Sequence, residues 1–162
     1  MPILILMRHA KSDWHAGEPD RNRPLSPRGR RAARTMGEFL ADAREGPDRV
    51  ITSPAVRAAE TARLLIEAGG FPCETEVVER LYGEGTDSLL DALKSQKASV
   101  DVLLAVGHEP TWSDAVAMLT GGGQVRVPTA AMARIDFGEL AWSEVGPGAG
   151  LLTWLVTPRI LE

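Results

Sequence analysis

Cysteine is nearly absent from the sequence: Cys73 is the only one among 162 residues. A single cysteine forms no disulfide within the chain and cannot build a cysteine-based zinc site. Such sparing use of cysteine is typical of proteins kept in a reducing compartment. We therefore expect a cytoplasmic protein.

The sequence also lacks an excess of positive charge and a long apolar run. It has 18 Lys and Arg against 22 Asp and Glu, a formal net charge of -4, so no overall positive field attracts nucleic acid or an anionic membrane surface. The apolar stretch 2–7 is too short to cross a bilayer and lacks the basic flank and cleavage site of a signal peptide. We expect neither nucleic acid nor membrane as a partner, and any anion site must be local.

The length and composition fit one folded domain. Hydrophobic residues make up 44% and charged residues 25% of the chain, close to the average of soluble globular proteins. The sequence contains no internal repeat, and its length suits a single hydrophobic core. We predict one domain over residues 1–162.

Apolar strands alternate with amphipathic helices along the chain. Strands are predicted at 2–7, 50–52, 74–78, 100–106, 131–137 and 151–156. Helices are predicted at 27–43, with Ser26 as the N-cap, and at 54–68, 87–97 and 111–119. The alternation predicts an α/β fold with three layers, in which helices cover both faces of a central sheet.

Three strand ends carry charged or titratable side chains. Arg8 and His9 lie at the end of the first strand, and His108 follows the strand at 100–106. Arg57 lies in the helix that follows the strand at 50–52. Open α/β sheets bind ligands at the carboxyl ends of their strands. We therefore expect these two arginines and two histidines to share one pocket.

This set of side chains suits phosphoryl transfer. Two guanidinium groups can bind phosphate oxygens bidentately, and the start of a helix favours an anion. A neutral imidazole can accept a phosphoryl group, and neighbouring arginines disfavour its protonated form. We predict His9 as the nucleophile and His108 as a donor to the oxygens of the transferring group.

Four segments in order, 6–10, 23–29, 53–62 and 106–110, resemble the histidine phosphatase superfamily. Segments 8–14 and 146–159 are similar to its short SixA-type phosphohistidine phosphatases, so the resemblance covers essentially the whole chain. It implies a phosphoglycerate-mutase-like fold with a mostly parallel central sheet. It also implies a metal-independent and cofactor-free reaction in two steps, through a phosphohistidine at His9.

The resemblance assigns further residues to the pocket. Arg8, Arg57 and His108 match the remaining core positions of the family. Arg23 belongs to the second motif and either reaches the mouth of the pocket or only supports its loop. Ser12 and Trp14 are expected at the rim. Ala10 stands where much of the superfamily has glycine, and its methyl group could narrow the approach to phosphate.

The sequence does not decide which residue, if any, donates a proton to the leaving group. The segment 79–83 resembles the one that carries an acid in mutase-like members, so Glu79 is the first candidate, with Glu84 and Asp87 behind it. The alternative is that Glu79 is a solvated loop carboxylate. An alkoxide leaves poorly without a proton, whereas the imidazole of phosphohistidine leaves readily, so a missing acid favours a substrate with an N–P bond.

The short stretch between Arg57 and His108 leaves no room for a large lid, which favours a bulky, protein-borne substrate. We therefore predict a phosphatase that acts on protein phosphohistidine. One alternative is a small-molecule phosphomonoesterase of the same superfamily. Another, from a different class, is a noncatalytic module that binds a phosphorylated ligand.

Overall fold

All six predicted strands form one mixed sheet in the computed structural model, which describes all 162 residues. The strands are β1 (Ile3–Arg8), β2 (Arg49–Thr52), β3 (Thr75–Val77), β4 (Val102–Gly107), β5 (Met132–Asp136) and β6 (Leu151–Val156). Their order across the sheet is β3-β2-β4-β1-β5-β6. The first four strands run parallel to one another, and β5 runs antiparallel to both of its neighbours.

All four predicted helices are present, together with one short helix that the sequence did not predict. They are α1 (Pro27–Asp42), α2 (Val56–Gly69), α3 (Gly85–Lys94), α4 (Thr111–Leu119) and α5 (Pro158–Leu161). The prediction placed the start of the second helix too early, because Ala55 has extended backbone and acts as the N-cap. The third helix begins before residue 87 and ends at Lys94, where Ser95 caps it. No helix combines the length and the apolar character needed to cross a membrane.

The two faces of the sheet bury separate hydrophobic clusters, which confirms the three-layer prediction. In β1, Leu4 and Leu6 point to one side and Ile5 and Met7 to the other, as the pleat of a strand requires. The first cluster includes residues of α3 and α4, and the second includes residues of α1 and α2. Because both faces are covered, the strand ends are left as the accessible edge of the sheet.

The start of α1 is fixed against the loop that follows β1. Ser26 Oγ accepts a hydrogen bond from the Gly29 N–H at 3.1 Å, as its predicted role as N-cap requires. A Cβ atom on Gly29 would lie 2.0 Å from the carbonyl oxygen of Lys11, so only glycine allows this close approach. The first turn of α1 therefore packs directly on the loop that carries the predicted site residues.

Candidate active site

A pocket of about 420 Å³ opens at the carboxyl ends of the parallel strands. It brings together every predicted site residue except Glu79. Its lining comprises Arg8, His9, Lys11, Ser12, Trp14, Arg23, Arg57, Tyr82, Gly83, His108, Glu109 and Thr129. Both arginines and both histidines of the predicted core thus share one cavity.

The imidazole of His9 is held in one tautomer. Its Nδ1 lies 2.7 Å from the carbonyl oxygen of Ala10, which can only accept, so Nδ1 carries the proton and the lone pair is on Nε2. The His9 residue is only 8% exposed. This burial is the main reason that its pKa is lowered from 6.5 to about 3, and the charges of His108, Arg57 and Arg8 act in the same direction. The arginines, which the sequence predicts to keep the ring neutral, contribute to this shift, but burial has the larger effect.

Thr61 connects the His9 loop to α2. Its Oγ accepts from the Ala10 N–H at 3.0 Å and donates to the Arg57 carbonyl oxygen at 2.6 Å. The methyl group of Ala10 is fully buried in the second core cluster, so it does not narrow the pocket. Thr61 lies inside one of the motifs recognised in the sequence, yet its role depends on a contact that only the fold reveals.

Both core arginines line the pocket, and each has one buried donor without a partner. The Nε atoms of Arg8 and Arg57 are buried and have no hydrogen-bond partner. Arg57 donates from Nη1 to the backbone carbonyl oxygen of Asp20 at 2.6 Å and from Nη2 to its carboxylate at 3.2 Å. The guanidinium groups of Arg8 and Arg57 line the cavity, and their planar forks can donate to the oxygens of a bound anion.

His108 lies beside His9, with 5.2 Å between the ring centroids. Its pKa is lowered to about 4, first by burial and then by the charge of Arg57, so this ring is also neutral near pH 7. Its Nε2 is 2.7 Å from Ser53 Oγ, and that oxygen accepts from the Ala55 N–H at 3.2 Å. The Ser53 hydroxyl proton is then free to donate to Nε2, which favours the proton of His108 on Nδ1.

Asp20 and Tyr82 are site residues that the sequence analysis missed. The Asp20 carboxylate accepts hydrogen bonds from Arg57, from Arg23 Nη1 at 2.8 Å and from the Tyr82 hydroxyl. The bond from Tyr82 is the largest cause of the lowered pKa of Asp20, about 2, so this carboxylate is ionised at neutral pH. Both residues come from loops distant in sequence, so no local motif announces their meeting.

The rim of the pocket contains the other predicted residues. Arg23 donates from Nε to Ser12 Oγ at 2.9 Å, and both residues are buried. The Arg23 guanidinium stacks on the Trp14 ring, with Cζ 3.6 Å from the ring centroid. Trp14 itself is 73% exposed. Arg23 thus both reaches the pocket and supports its rim, and Trp14 presents a free aromatic face beside the pocket.

The structure does not bring Glu79 into the pocket. Its side chain is 68% exposed and its two oxygens accept from Arg21 Nη2 at 3.2 and 2.8 Å. Glu84 pairs with Arg80 outside the pocket, and Asp87 does not line it either. The carboxylate that does line the pocket is Glu109, whose oxygens accept from the N–H and the hydroxyl of Ser113.

The pocket therefore combines a neutral imidazole that has a free lone pair on Nε2 with two guanidinium groups and a second imidazole. This arrangement can bind a tetrahedral oxyanion and accept a phosphoryl group on His9 Nε2. The chain has no group of three or more His, Cys, Asp or Glu side chains placed to hold a metal ion.

Comparison with known proteins identifies similar chains. Residues 4–84 match the sequence model of the histidine phosphatase superfamily (branch 1). An uncharacterized protein of Mycobacterium tuberculosis strain H37Rv is 32% identical over 162 residues, covering 94% of this chain and all of that protein. The phosphohistidine phosphatase SixA of Escherichia coli K12 is 27% identical over 98% of this chain and 96% of its own length. A structure of the protein histidine phosphatase SixA complexed with tungstate superposes with a TM-score of 0.85 at 26% identity, and 99% of each chain is covered.

Proposed function

Since this chain belongs to the histidine phosphatase superfamily and is of the SixA type, we propose that it removes the phosphoryl group from protein phosphohistidine through a covalent intermediate on His9. The observation that carries the proposal is the state of His9. Its ring is neutral, its Nε2 lone pair is available, and it shares a pocket with the guanidinium groups of Arg8 and Arg57.

In the first step, His9 Nε2 attacks the phosphorus atom of the substrate. A new N–P bond forms on His9 while the bond from phosphorus to the substrate nitrogen breaks. The bonding pair leaves with the substrate ring, which carries a proton on its other nitrogen and therefore departs as neutral imidazole, while His9, with its proton on Nδ1, becomes a phosphorylated imidazolium. Arg8 and Arg57 donate to the phosphoryl oxygens, and the neutral His108 adds an N–H donor. These donors are held in the folded protein beforehand, so little reorganisation accompanies the transfer.

In the second step, a water molecule attacks the phosphorus atom of phosphorylated His9. The N–P bond breaks, the electron pair returns to Nε2, and the proton lost by water is taken up by the departing phosphate. The hydrogen bond from Nδ1 to the Ala10 carbonyl keeps the ring oriented in both steps. The enzyme is thereby returned to its neutral starting state.

The carboxylates near the pocket support a substrate with an N–P bond. Asp20 is ionised at neutral pH because its pKa is about 2, and Glu79 lies outside the cavity. Both oxygens of Glu109 already accept hydrogen bonds from Ser113. A phosphate ester needs a proton from the enzyme for its leaving oxygen, whereas a phosphohistidine ring that is protonated on its other nitrogen leaves as neutral imidazole without one. The site is therefore better suited to phosphohistidine than to an ester.

The open rim supports a substrate carried by a protein. Between α2 and β4 the chain forms only the short strand β3, the turn Glu79–Leu81 and α3. This segment contributes Tyr82 and Gly83 to the pocket wall but contains no inserted lid domain. The exposed face of Trp14 offers a surface on which a flat ring can stack. A SixA protein of the same fold binds tungstate, a tetrahedral oxyanion of the kind that this pocket would hold.

The test compares kcat/KM on a phosphohistidine-bearing protein and on a panel of small phosphate esters. We expect far higher kcat/KM on the phosphohistidine protein, and loss of turnover on all substrates in His9→Ala. The exposed His15 supplies a matched control, His15→Ala, which should keep full activity. A clear preference for one ester would identify a phosphomonoesterase instead. No turnover on any substrate, with phosphate still bound, would identify a noncatalytic binding module.

A further inference from the structure

A second cavity, of about 350 Å³, adjoins the phosphate pocket. The two cavities share Lys11 and Thr129 in their walls. The second one lies between the start of α1, the turn before β5 and the short helix α5. Its charged walls are Lys11, Arg28 and Arg159, with Glu162 as the one carboxylate side chain. We refer to it as the basic groove.

The three cations of the basic groove have no acidic partner within the chain. Lys11, Arg28 and Arg159 are exposed and take part in none of the ion pairs. Most of the other arginines form ion pairs. Arg30, for example, lies on the same helix as Arg28 and pairs with Glu60 of α2. In a chain whose net charge is -4, three unpaired cations around one cavity make a local positive field.

The groove is built on fixed backbone. The carbonyl oxygen of Lys11 accepts from the Ser26 N–H at 2.9 Å and from the Ser26 hydroxyl at 3.1 Å. The absent Cβ of Gly29 lets the first turn of α1, which carries Arg28, pack against Lys11. Like charges held around one cavity repel each other, and an anion bound between them relieves that repulsion.

From these observations, and resting on the proposed function, we propose that the basic groove binds acidic side chains that flank the phosphohistidine of a protein substrate. The shared wall means that a chain segment with its phosphoryl group in the pocket can reach the groove within a few residues, at roughly 3.3 Å per extended residue. Carboxylates of Asp or Glu complement Lys11, Arg28 and Arg159. The enzyme would then select phosphohistidines in acidic surroundings.

The test uses two synthetic phosphohistidine peptides, one with Asp and Glu flanks and one with Ser flanks, and phosphoramidate as a small N–P substrate. The variant combines Arg28→Ala and Arg159→Ala, both outside the phosphate pocket. Arg34→Ala is the control, since Arg34 is exposed on the same helix but does not line the groove. Each protein is assayed at low and at high salt.

We expect the unmodified protein to prefer the acidic peptide by about tenfold in kcat/KM, mainly through KM, and this preference should shrink at high salt. The double variant should lose the preference and keep its activity on phosphoramidate, whereas Arg34→Ala should behave as the unmodified protein. Equal rates on both peptides would overturn the inference alone and leave the proposed function standing. No hydrolysis of either peptide or of phosphoramidate would overturn both.

Discussion

The imidazole rings of His9 and His108 lie 5.2 Å apart at an angle of 53°, although the two residues are 99 positions apart in the sequence. Their closeness follows from the sheet: β1 and β4 are parallel neighbours, and Arg8 pairs with Gly107 in their register. The residue after each of these two therefore leaves the sheet at the same edge. Two imidazoles can lie this close because burial lowers the pKa of each, to about 3 and about 4, and keeps both neutral.

The protonation states can be observed directly. We expect nitrogen NMR of the free enzyme to show both His9 and His108 neutral at pH 5.5, with the His9 proton on Nδ1. The reason is burial, which lowers both pKa values, together with the hydrogen bond to the Ala10 carbonyl. Titration of His9 near pH 6.5, or a proton on its Nε2, would contradict the proposed nucleophile.

The lowered pKa of His9 also makes stability depend on pH. The unfolded chain binds a proton on this ring below about pH 6.5, while the folded chain does not until about pH 3, so acid favours unfolding within that window. Between pH 7 and pH 5 the free energy of unfolding should fall by about 2 kcal/mol more in the unmodified protein than in His9→Asn. Denaturant unfolding of both proteins at the two pH values measures this difference. Equal losses would contradict the lowered pKa.

Thr61 is predicted to be a positioning residue for His9. Thr61→Val removes the acceptor of the Ala10 N–H, and a buried donor without a partner costs about 1–3 kcal/mol. The shifted Ala10 carbonyl would misplace His9, so kcat should fall by about tenfold or more with little change in KM. Thr61→Ser keeps the hydroxyl and should restore most of the activity. Equal activity in the Val and Ser variants would exclude this role.

Glu79 and Arg57 should differ sharply on substitution. Glu79→Gln should change kcat/KM on phosphohistidine by less than about twofold, because Glu79 pairs with Arg21 outside the pocket. If Glu79 were the general acid, its loss would lower kcat/KM by about 100-fold or more. Arg57→Lys keeps the charge but loses the planar fork, and we expect a loss of about 100-fold. Steady-state assays on phosphohistidine and on an ester measure both effects. A large loss in Glu79→Gln confined to the ester would restore Glu79 as an acid.

Much of the fold was predictable because the residues that specify it are local. Apolar strands, the Ser26 cap and the alternation of elements lie in short stretches of sequence, and all reappear in the structure. The strand order and the antiparallel β5 were not predictable, since they depend on which strands meet in three dimensions. Helix ends shifted by a few residues where a cap residue adopts extended backbone, as at Ala55.

The candidate site was also predictable only in part. Arg8, His9, Arg57 and His108 follow strand ends or start a helix, so the sequence places them at one edge of the sheet. Asp20 and Tyr82 meet across 62 positions through a single hydrogen bond, which no motif encodes. The prediction of Glu79 as an acid depended on the side-chain positions of a loop, which neighbouring residues determine. In the structure the Glu79 carboxylate accepts hydrogen bonds from Arg21 outside the pocket.

The central claim is that the phosphoryl group passes through His9, and rapid-quench labelling tests it most directly. The enzyme is mixed with a protein bearing radiolabelled phosphohistidine, quenched in alkali within milliseconds, and digested for mass spectrometry. We expect an acid-labile, alkali-stable phosphoryl group on His9 that forms and decays at least as fast as turnover, persists in His15→Ala and is absent in His9→Ala. Turnover by His9→Ala at the unmodified rate, or a label on another residue, would contradict the claim.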